Sequence, residues 1–412
     1  MEIIKSKYKD ILYLFNANII TKIVAFSGQL FVAAMITPNE LGQIKSALTY
    51  VEIIAVIGCL GLNTAILFKC DIRTNEDDLR KVVQSSLYTA IFFCLILVII
   101  VSFFSTLSGF DFANDEVRRL LVYLSWSAPL IVGIQICTSV LQSLQKYKDI
   151  FTVTAYPKLI SLILLVIFTY NYGIDGYVIA YILGALFSLA YILMKEMVVF
   201  RPMSFSRVIV ASQISIGKHA MLSNLIGIIG INLGFIVLNA SGTSQYDIGQ
   251  YAFAFLVYSG CEVITQTVQQ FFLPKYSSFK YDLDKWSNLV VLSERNFLLA
   301  SIVIGLVVSL GALSIYLLMP LYEYNQAMLY LSIMSSVWIL SSFYSLKGAA
   351  FISLGRTDIN MKISVILLSL SIPLSTALVG YIGVLGAILS RFLIVVINVG
   401  LVRYYFKSIT KR

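Results

Sequence analysis

Four cations of this 412-residue chain, Lys22, Lys45, Lys218 and Arg391, lie inside long apolar runs. A charge in hydrocarbon is costly, so such residues face water, a partner or a transported ion. The same runs hold two carboxylates, Glu52 and Glu262, and the single histidine, His219. Polar neighbours join them at the seven- and eleven-residue spacings that place side chains on one helix face. Asn18, Lys22 and Gln29 share a face, as do Lys45, Thr49, Glu52, Cys59 and Asn63. Ser212, His219, Ser223 and Gly230 form a stripe beside Lys218. Tyr251, Tyr258, Glu262, Thr265 and Gln269 form another, and Arg391 aligns with Asn398.

The cations outnumber the carboxylates, and a cationic cavity lowers the cost of bringing an anion into a membrane. Arginine suits bidentate contact with phosphate. Tyr251 and Tyr258, with Asn and Gln nearby, offer rings that stack on sugars, or rings that fill a core. Lys22 and Arg391 either attract an anionic substrate or pair with Glu52 and Glu262 to hold helices together. Lys45 sits about one turn inside its run, where snorkelling to the outer interface accounts for it. Lys218 snorkels toward the opposite face or lines the cavity. His219 titrates near neutrality or serves as a neutral, hydrogen-bonded filler. Glu52 and Glu262 are candidates for balancing the cations or carrying protons.

The elements that position these groups are apolar segments about twenty residues long, each able to cross roughly 30 Å of hydrocarbon as a helix. Twelve are predicted, at 11–36, 42–67, 84–107, 119–142, 153–171, 174–194, 209–238, 248–272, 290–318, 327–349, 361–380 and 382–404. The composition agrees: 59% hydrophobic and 12% charged, where a soluble domain carries about 25% charge. The fold class is therefore an all-α membrane protein. Most of the remaining Lys and Arg fall in the two tails and in the gaps after spans 2, 4, 6, 8 and 10, while Arg118 and Arg119 occupy an alternate gap. This asymmetry puts both termini in the cytoplasm. It also explains the basic balance without nucleic acid, which is excluded as a partner. The basic N-terminus leads into a run too long for a signal-peptide core, so the first span is expected to be retained.

Landmarks recur at half the chain length. Glu40-Leu41-Gly42-Gln43 opens span 2 and Asp247-Ile248-Gly249-Gln250 opens span 8, while Gly173-Ile174-Asp175-Gly176 and Gly380-Tyr381-Ile382-Gly383 open spans 6 and 12, both pairs 207 positions apart. Gln145-Lys146 with Asp149 echoes Gly355-Arg356 with Asp358. The chain thus reads as two six-helix lobes, residues 1–204 and 205–412, related by a pseudo-two-fold along the membrane normal, with a hydrated cavity lined by spans 1, 2, 7 and 8. The five cysteines form no CxxC and read as apolar fillers. No GxxxxGK[ST] is present, since Gly217-Lys218 lacks the upstream glycine and is followed by His219, so ATP hydrolysis is not expected. One histidine supports neither a metal cluster nor a catalytic triad with recognisable spacing. No cofactor, metal or catalytic residue is expected, and the loops are too short to hold a soluble catalytic domain.

The twelve spans, the Glu40-Leu41-Gly42-Gln43 entry, Leu273-Pro274-Lys275-Tyr276-Ser277 closing span 8 and Gly383-Val384-Leu385-Gly386-Ala387 in span 12 together resemble the polysaccharide transporter family. These are the O-antigen or lipid-linked oligosaccharide flippases of the multidrug/oligosaccharidyl-lipid/polysaccharide exporter superfamily. The resemblance implies a transporter of the bacterial cytoplasmic (inner) membrane, not an enzyme, with lobes that alternate between inward-open and outward-open states. Its cargo would be an undecaprenyl-pyrophosphate-linked oligosaccharide repeat unit, moved from the cytoplasmic to the periplasmic leaflet. An ion gradient (H+ or Na+) would drive it, alongside other polysaccharide-assembly proteins. On that reading Asn18, Lys22, Lys218, Tyr251, Tyr258 and Arg391 bind substrate, and Glu52, His219 and Glu262 balance charge or couple protons. Two alternatives are a cation-coupled drug or metabolite antiporter of the same superfamily and an O-antigen-polymerase-type membrane enzyme. The related drug exporters tend to carry an acidic residue in the first helix, where this chain has Lys22. A polymerase usually needs a sizeable outer loop.

Overall fold

The computed structural model describes residues 24, 26–70, 75–106, 114–195, 205–279 and 281–410. Among them the regular structure is helical throughout. The end of α1 (residues 26–33) is followed by α2 (Pro38–Gly58), α3 (Leu62–Lys69), α4 (Glu76–Thr106), α5 (Asp115–Ser125), α6 (Ser127–Ser143), α7 (Tyr147–Lys195), α8 (Arg207–Ala240), α9 (Gln245–Ser278), α10 (Leu283–Leu318), α11 (Asn325–Ser341), α12 (Ser345–Ser353) and α13 (Thr357–Thr410). Seven helices, or eight if bent α5–α6 is one span, are long and apolar enough to cross a membrane. α7 and α13 each join two predicted spans end to end, and α9 is the more polar of the long helices. Asn18 and Lys22 lie outside the described residues.

Two compact units are present. Unit 1 comprises Met1–Ile36 and Gln43–Ile229; unit 2 comprises Thr37–Gly42 and Gly230–Arg412. α2 and α8 therefore each begin in one unit and end in the other.

The internal repeat is visible in backbone detail. α2 opens on a capping box: the Thr37 amide donates to Glu40 Oε2 (2.8 Å) and the Glu40 amide to Thr37 Oγ1 (3.3 Å). α9 opens the same way, with the Asp247 amide donating to Ser244 Oγ (3.1 Å) and that hydroxyl to Asp247 Oδ2 (2.6 Å). Each box satisfies N–H groups that the first helical turn leaves without a partner. The hinges in α7 and α13 are a second match. Gly173 has φ 57° and ψ −135°; Gly383 has φ 57° and ψ −132°. A side chain is strained in this conformation, which is why glycine stands at both. Three residues on, a Cβ on Gly176 would meet Phe168 O at 2.0 Å, and one on Gly386 would meet Leu378 O at 2.1 Å. The equivalence is therefore Gly173 to Gly383, a shift of 210 positions, and not Gly173 to Gly380. Gln145 and Gly355, also 210 apart, share positive φ (55° and 74°) at the turns before α7 and α13.

Three predicted spans are interrupted. Span 2 breaks at Leu60 and Gly61, both of positive φ (51° and 68°), which separates α2 from α3. Gly61 is pressed against Gly217 of α8, where a Cβ would meet Gly217 O at 2.1 Å. Span 4 bends by 42° at Trp126, between α5 and α6. Span 10 breaks after Ser341, leaving α12 as a separate short helix.

Candidate functional site

In unit 2, α13 carries Arg391 and α9 carries Tyr251, Phe255, Tyr258 and Glu262. The Arg391 guanidinium carbon lies 5.0 Å from the Phe255 ring centre and 4.9 Å from that of Tyr258. Such cation–π contacts hold a guanidinium in place without neutralising it. Nη1 of Arg391 donates to the Ile231 carbonyl at 3.4 Å. Tyr258 donates its hydroxyl proton to Glu262 Oε1 at 2.8 Å. Among the described residues Arg391 forms no ion pair, and Glu262 is linked to it through Tyr258. The predicted residues Arg391, Tyr251, Tyr258 and Glu262 are thus brought together around one guanidinium.

The two tyrosines are placed differently from the sugar-stacking expectation. Tyr251 is 1% and Tyr258 3% exposed, so their rings pack on Phe255 and Arg391 and offer no face to a sugar. Gly234 makes room for Tyr251: a Cβ there would meet its hydroxyl at 2.4 Å. Gly234→Ala is therefore expected to push the Tyr251 ring toward Arg391 and to lower thermal stability by about 1–3 kcal/mol, the usual cost of overpacking. Thermal melts of the purified variant would show it, and an unchanged melt would mean that the ring moves aside freely.

The rest of the α9 stripe is also used internally. Trp338 Nε1 donates to Thr265 Oγ1 (2.9 Å), and Gln269 Nε2 donates to the Ser345 carbonyl (2.8 Å) at the start of α12. Asn398, aligned with Arg391 as expected, lies beside Tyr344.

Unit 1 holds the other predicted residues. Lys45 Nζ is 3.7 Å from Glu52 Oε1, so the lysine reaches two turns deeper along α2. That corrects the expectation that it snorkels back to the interface. Lys218 and His219 are both exposed on α8 and make no hydrogen bond or ion pair among the described residues. The opposite side of α8 packs instead: Gln213 is fully buried and accepts the Ser86 hydroxyl proton (2.8 Å), and Gly217 abuts Gly61.

Charges beyond the ones singled out in the sequence also lie within helices. Lys347 of α12 is 6% exposed and forms a buried ion pair with Glu294 of α10. It also donates to the Phe343 carbonyl (3.4 Å) and sits 5.3 Å from the Phe406 ring centre. Lys158 lies in the first half of α7. The signal was available, since these three positions fall inside the predicted spans 153–171, 290–318 and 327–349. All five cysteines are buried, and no group of three metal-ligating side chains occurs among the described residues.

A family model described as polysaccharide biosynthesis protein matches residues 31–308. No protein of curated function matches the chain in sequence. In fold, the chain is similar to solved structures. An inward-facing multidrug resistance MATE family transporter of the MOP superfamily is 14% identical with a TM-score of 0.72, over 97% of this chain and 95% of that one. An outward-facing structure of a transporter so described is 15% identical at 0.68, over 98% and 96%. A MATE in a bent conformation is 16% identical at 0.64, over 98% and 96%. Identities this low establish the fold alone, an all-α membrane transporter fold of twelve helices.

Proposed function

Because the chain belongs to the polysaccharide biosynthesis protein family, we propose that it is a flippase for an undecaprenyl-pyrophosphate-linked oligosaccharide. It is a multi-pass membrane protein with a transporter fold, and in this reading it sits in the bacterial inner membrane with both termini cytoplasmic. The lobes 1–204 and 205–412 expose the cargo alternately to the two faces of the membrane, driven by an ion gradient. The observation that carries the reading is Arg391. A guanidinium deep in a membrane helix, held by two aromatic rings and paired with no carboxylate among the described residues, supplies positive charge available to the pyrophosphate or to an acidic sugar. Glu262, through Tyr258, is placed to respond when that charge is neutralised, which makes it the candidate for proton coupling. Lys218 and His219, exposed and without partners among the described residues, are candidates for further substrate contacts in unit 1. Lys22 and Asn18 are assigned to substrate binding by sequence alone.

The alternative of drug export follows the printed descriptions of the structural neighbours. A positive site without an accessible carboxylate fits a cationic drug poorly. Arg391→Ala is expected to slow translocation of lipid-linked oligosaccharide at least about tenfold, the loss of one charge-assisted contact. Arg391→Lys should recover only part, because a lysine cannot reproduce the planar stacking. Full transport by Arg391→Ala at normal expression, or efflux of a cationic dye by the wild type, would overturn the assignment.

A further inference from the structure

α10 carries an arginine, Arg295, on a face where charge is rare. Ionisable side chains within a membrane helix almost always turn toward protein or water. Packing fixes how α10 is rotated in unit 2. Trp286 and Phe297 are buried, the Ser293 and Tyr276 hydroxyls are hydrogen-bonded to each other, and Glu294 pairs with Lys347. Arg295 stands about 180° around the helix from Trp286 and about 160° from Ser293 and Phe297. It therefore points away from the core, and it is exposed.

Its neighbours on that face are Leu292, Leu299, Val303, Leu306 and Leu310, at spacings of three and four residues and each 49% to 63% exposed. α10 is long and apolar enough to cross a membrane, so this outer stripe meets lipid. The polar end of the stripe is the start of the helix, where Asp284, Lys285 and Asn288 are exposed. Arg295 lies seven residues beyond Asn288 on the same face, about 10 Å along the axis. Helical Cα–Cβ bonds tilt toward the N-terminus, which here is the polar end. The arginine stem thus lies on the apolar stripe and carries its guanidinium back toward the headgroups. From Arg295 to Leu306 the stripe runs about 16 Å, one leaflet's share of a hydrocarbon core roughly 30 Å thick. One face of α10 accordingly offers a cation for a lipid head and then an apolar track for its tail.

The local charge balance favours an acidic head. Arg295 has neither hydrogen bond nor ion pair among the described residues. Every acidic residue of unit 2 is described; Glu294, the one adjacent in the chain, is held by Lys347, and Asp282 is held by Lys285. Around Glu294, α10, α12 and α13 carry Arg295, Lys347 and Arg403, three cations against one carboxylate. The planar donors of a guanidinium match a phosphate group.

We propose that the Arg295 face of α10 binds an acidic phospholipid of the surrounding membrane, with the lipid phosphate on the guanidinium and an acyl chain along Leu299, Val303 and Leu306. The site is independent of the flippase reading and of its cargo. The test is native mass spectrometry of the purified full chain released from nanodiscs of equal parts phosphatidylglycerol and phosphatidylcholine, two lipids that share the phosphate and differ in net charge. The wild type should retain phosphatidylglycerol in preference to phosphatidylcholine. Arg295→Gln should lower the retained phosphatidylglycerol about fivefold, the share of one cation near an anionic lipid surface. Arg295→Leu, which continues the apolar stripe, should show the same loss, so a folding defect in one variant is checked by the other. Lys285→Gln should retain phosphatidylglycerol as the wild type does, because that exposed lysine is already paired with Asp282. Equal retention of the two lipids by the wild type, unchanged retention in Arg295→Gln and Arg295→Leu, or an equal fall in Lys285→Gln would overturn the site.

Discussion

Replacing Glu294 with alanine is expected to destabilise the protein by about 3–5 kcal/mol, the cost of stranding one member of a buried ion pair. Both side chains are buried, at 12% exposure for Glu294 and 8% for Lys347, so water cannot rescue the ammonium that remains. The effect is amplified by where Lys347 stands. It belongs to α12, the short helix created by the break in span 10, and this helix is held by polar clamps as well as by its buried apolar side chains. Gln269 donates to its first carbonyl, Asn360 Nδ2 donates to the Gly348 carbonyl (3.0 Å), and Trp286 Nε1 donates to Ser353 Oγ (3.0 Å). Trp286, Phe351 and Phe406 form the apolar core beside the pair. A charge without its partner in that core favours release of the whole of α12.

The two halves of the pair are not equivalent. Arg403 also acts on Glu294, so Lys347→Met leaves the carboxylate near another cation, while Glu294→Met leaves two cations near each other. Lys347→Met should accordingly melt higher than Glu294→Met. The double replacement by methionine should recover most of the loss, because an apolar pair of similar volume avoids the desolvation cost altogether. Thermal unfolding of the four proteins in one detergent is sufficient. Equal melting of Glu294→Met and the wild type would mean that the pair contributes nothing to holding α12.

This pair also shows what the sequence made legible and what it did not. Hydropathy located the twelve spans because crossing hydrocarbon requires long apolar helices, and the recurring glycine landmarks at the helix starts were readable because tight turns and close backbone approaches favour glycine. The register of the second hinge was not, since Gly380 and Gly383 look alike until a φ angle distinguishes them. Helical spacing put Tyr251, Tyr258, Glu262 and Arg391 on two faces, and those faces do meet. Spacing could not say that the tyrosines face inward, because burial depends on which helix lies opposite. Lys347 stands near the end of an apolar run, where depth along the helix alone does not separate an interfacial lysine from a paired one.

The second large effect is expected at the two glycines that mark the repeat, Gly42 and Gly249. Their helices cross so closely in unit 2 that a Cβ on Gly249 would stand 1.6 Å from Pro38 O, and one on Gly42 would stand 2.0 Å from Gln245 O and 2.8 Å from Gly249 N. The contact is reciprocal. Pro38 and Gln245 are themselves 207 positions apart, as are the two glycines, so each repeat's helix start rests on its counterpart. Every clashing atom is backbone, and no rotamer change relieves it. Gly249→Ala must separate the two helix starts by about 2 Å to restore ordinary van der Waals contact. It would do so against two capping boxes that fix where each helix begins. The expected outcome is a loss of about 1–3 kcal/mol in stability, as for other overpacked sites. It should come with a longer distance between spin labels at Asn39 and Tyr246, both exposed and one residue beyond each helix's first position. Gly42→Ala should act in the same direction with a smaller displacement, because its clash is less severe. Transport should fall in both if the crossing must close during the cycle. An unchanged label distance in Gly249→Ala would show that the helices slide past the added methyl, and the close crossing would then be incidental to function.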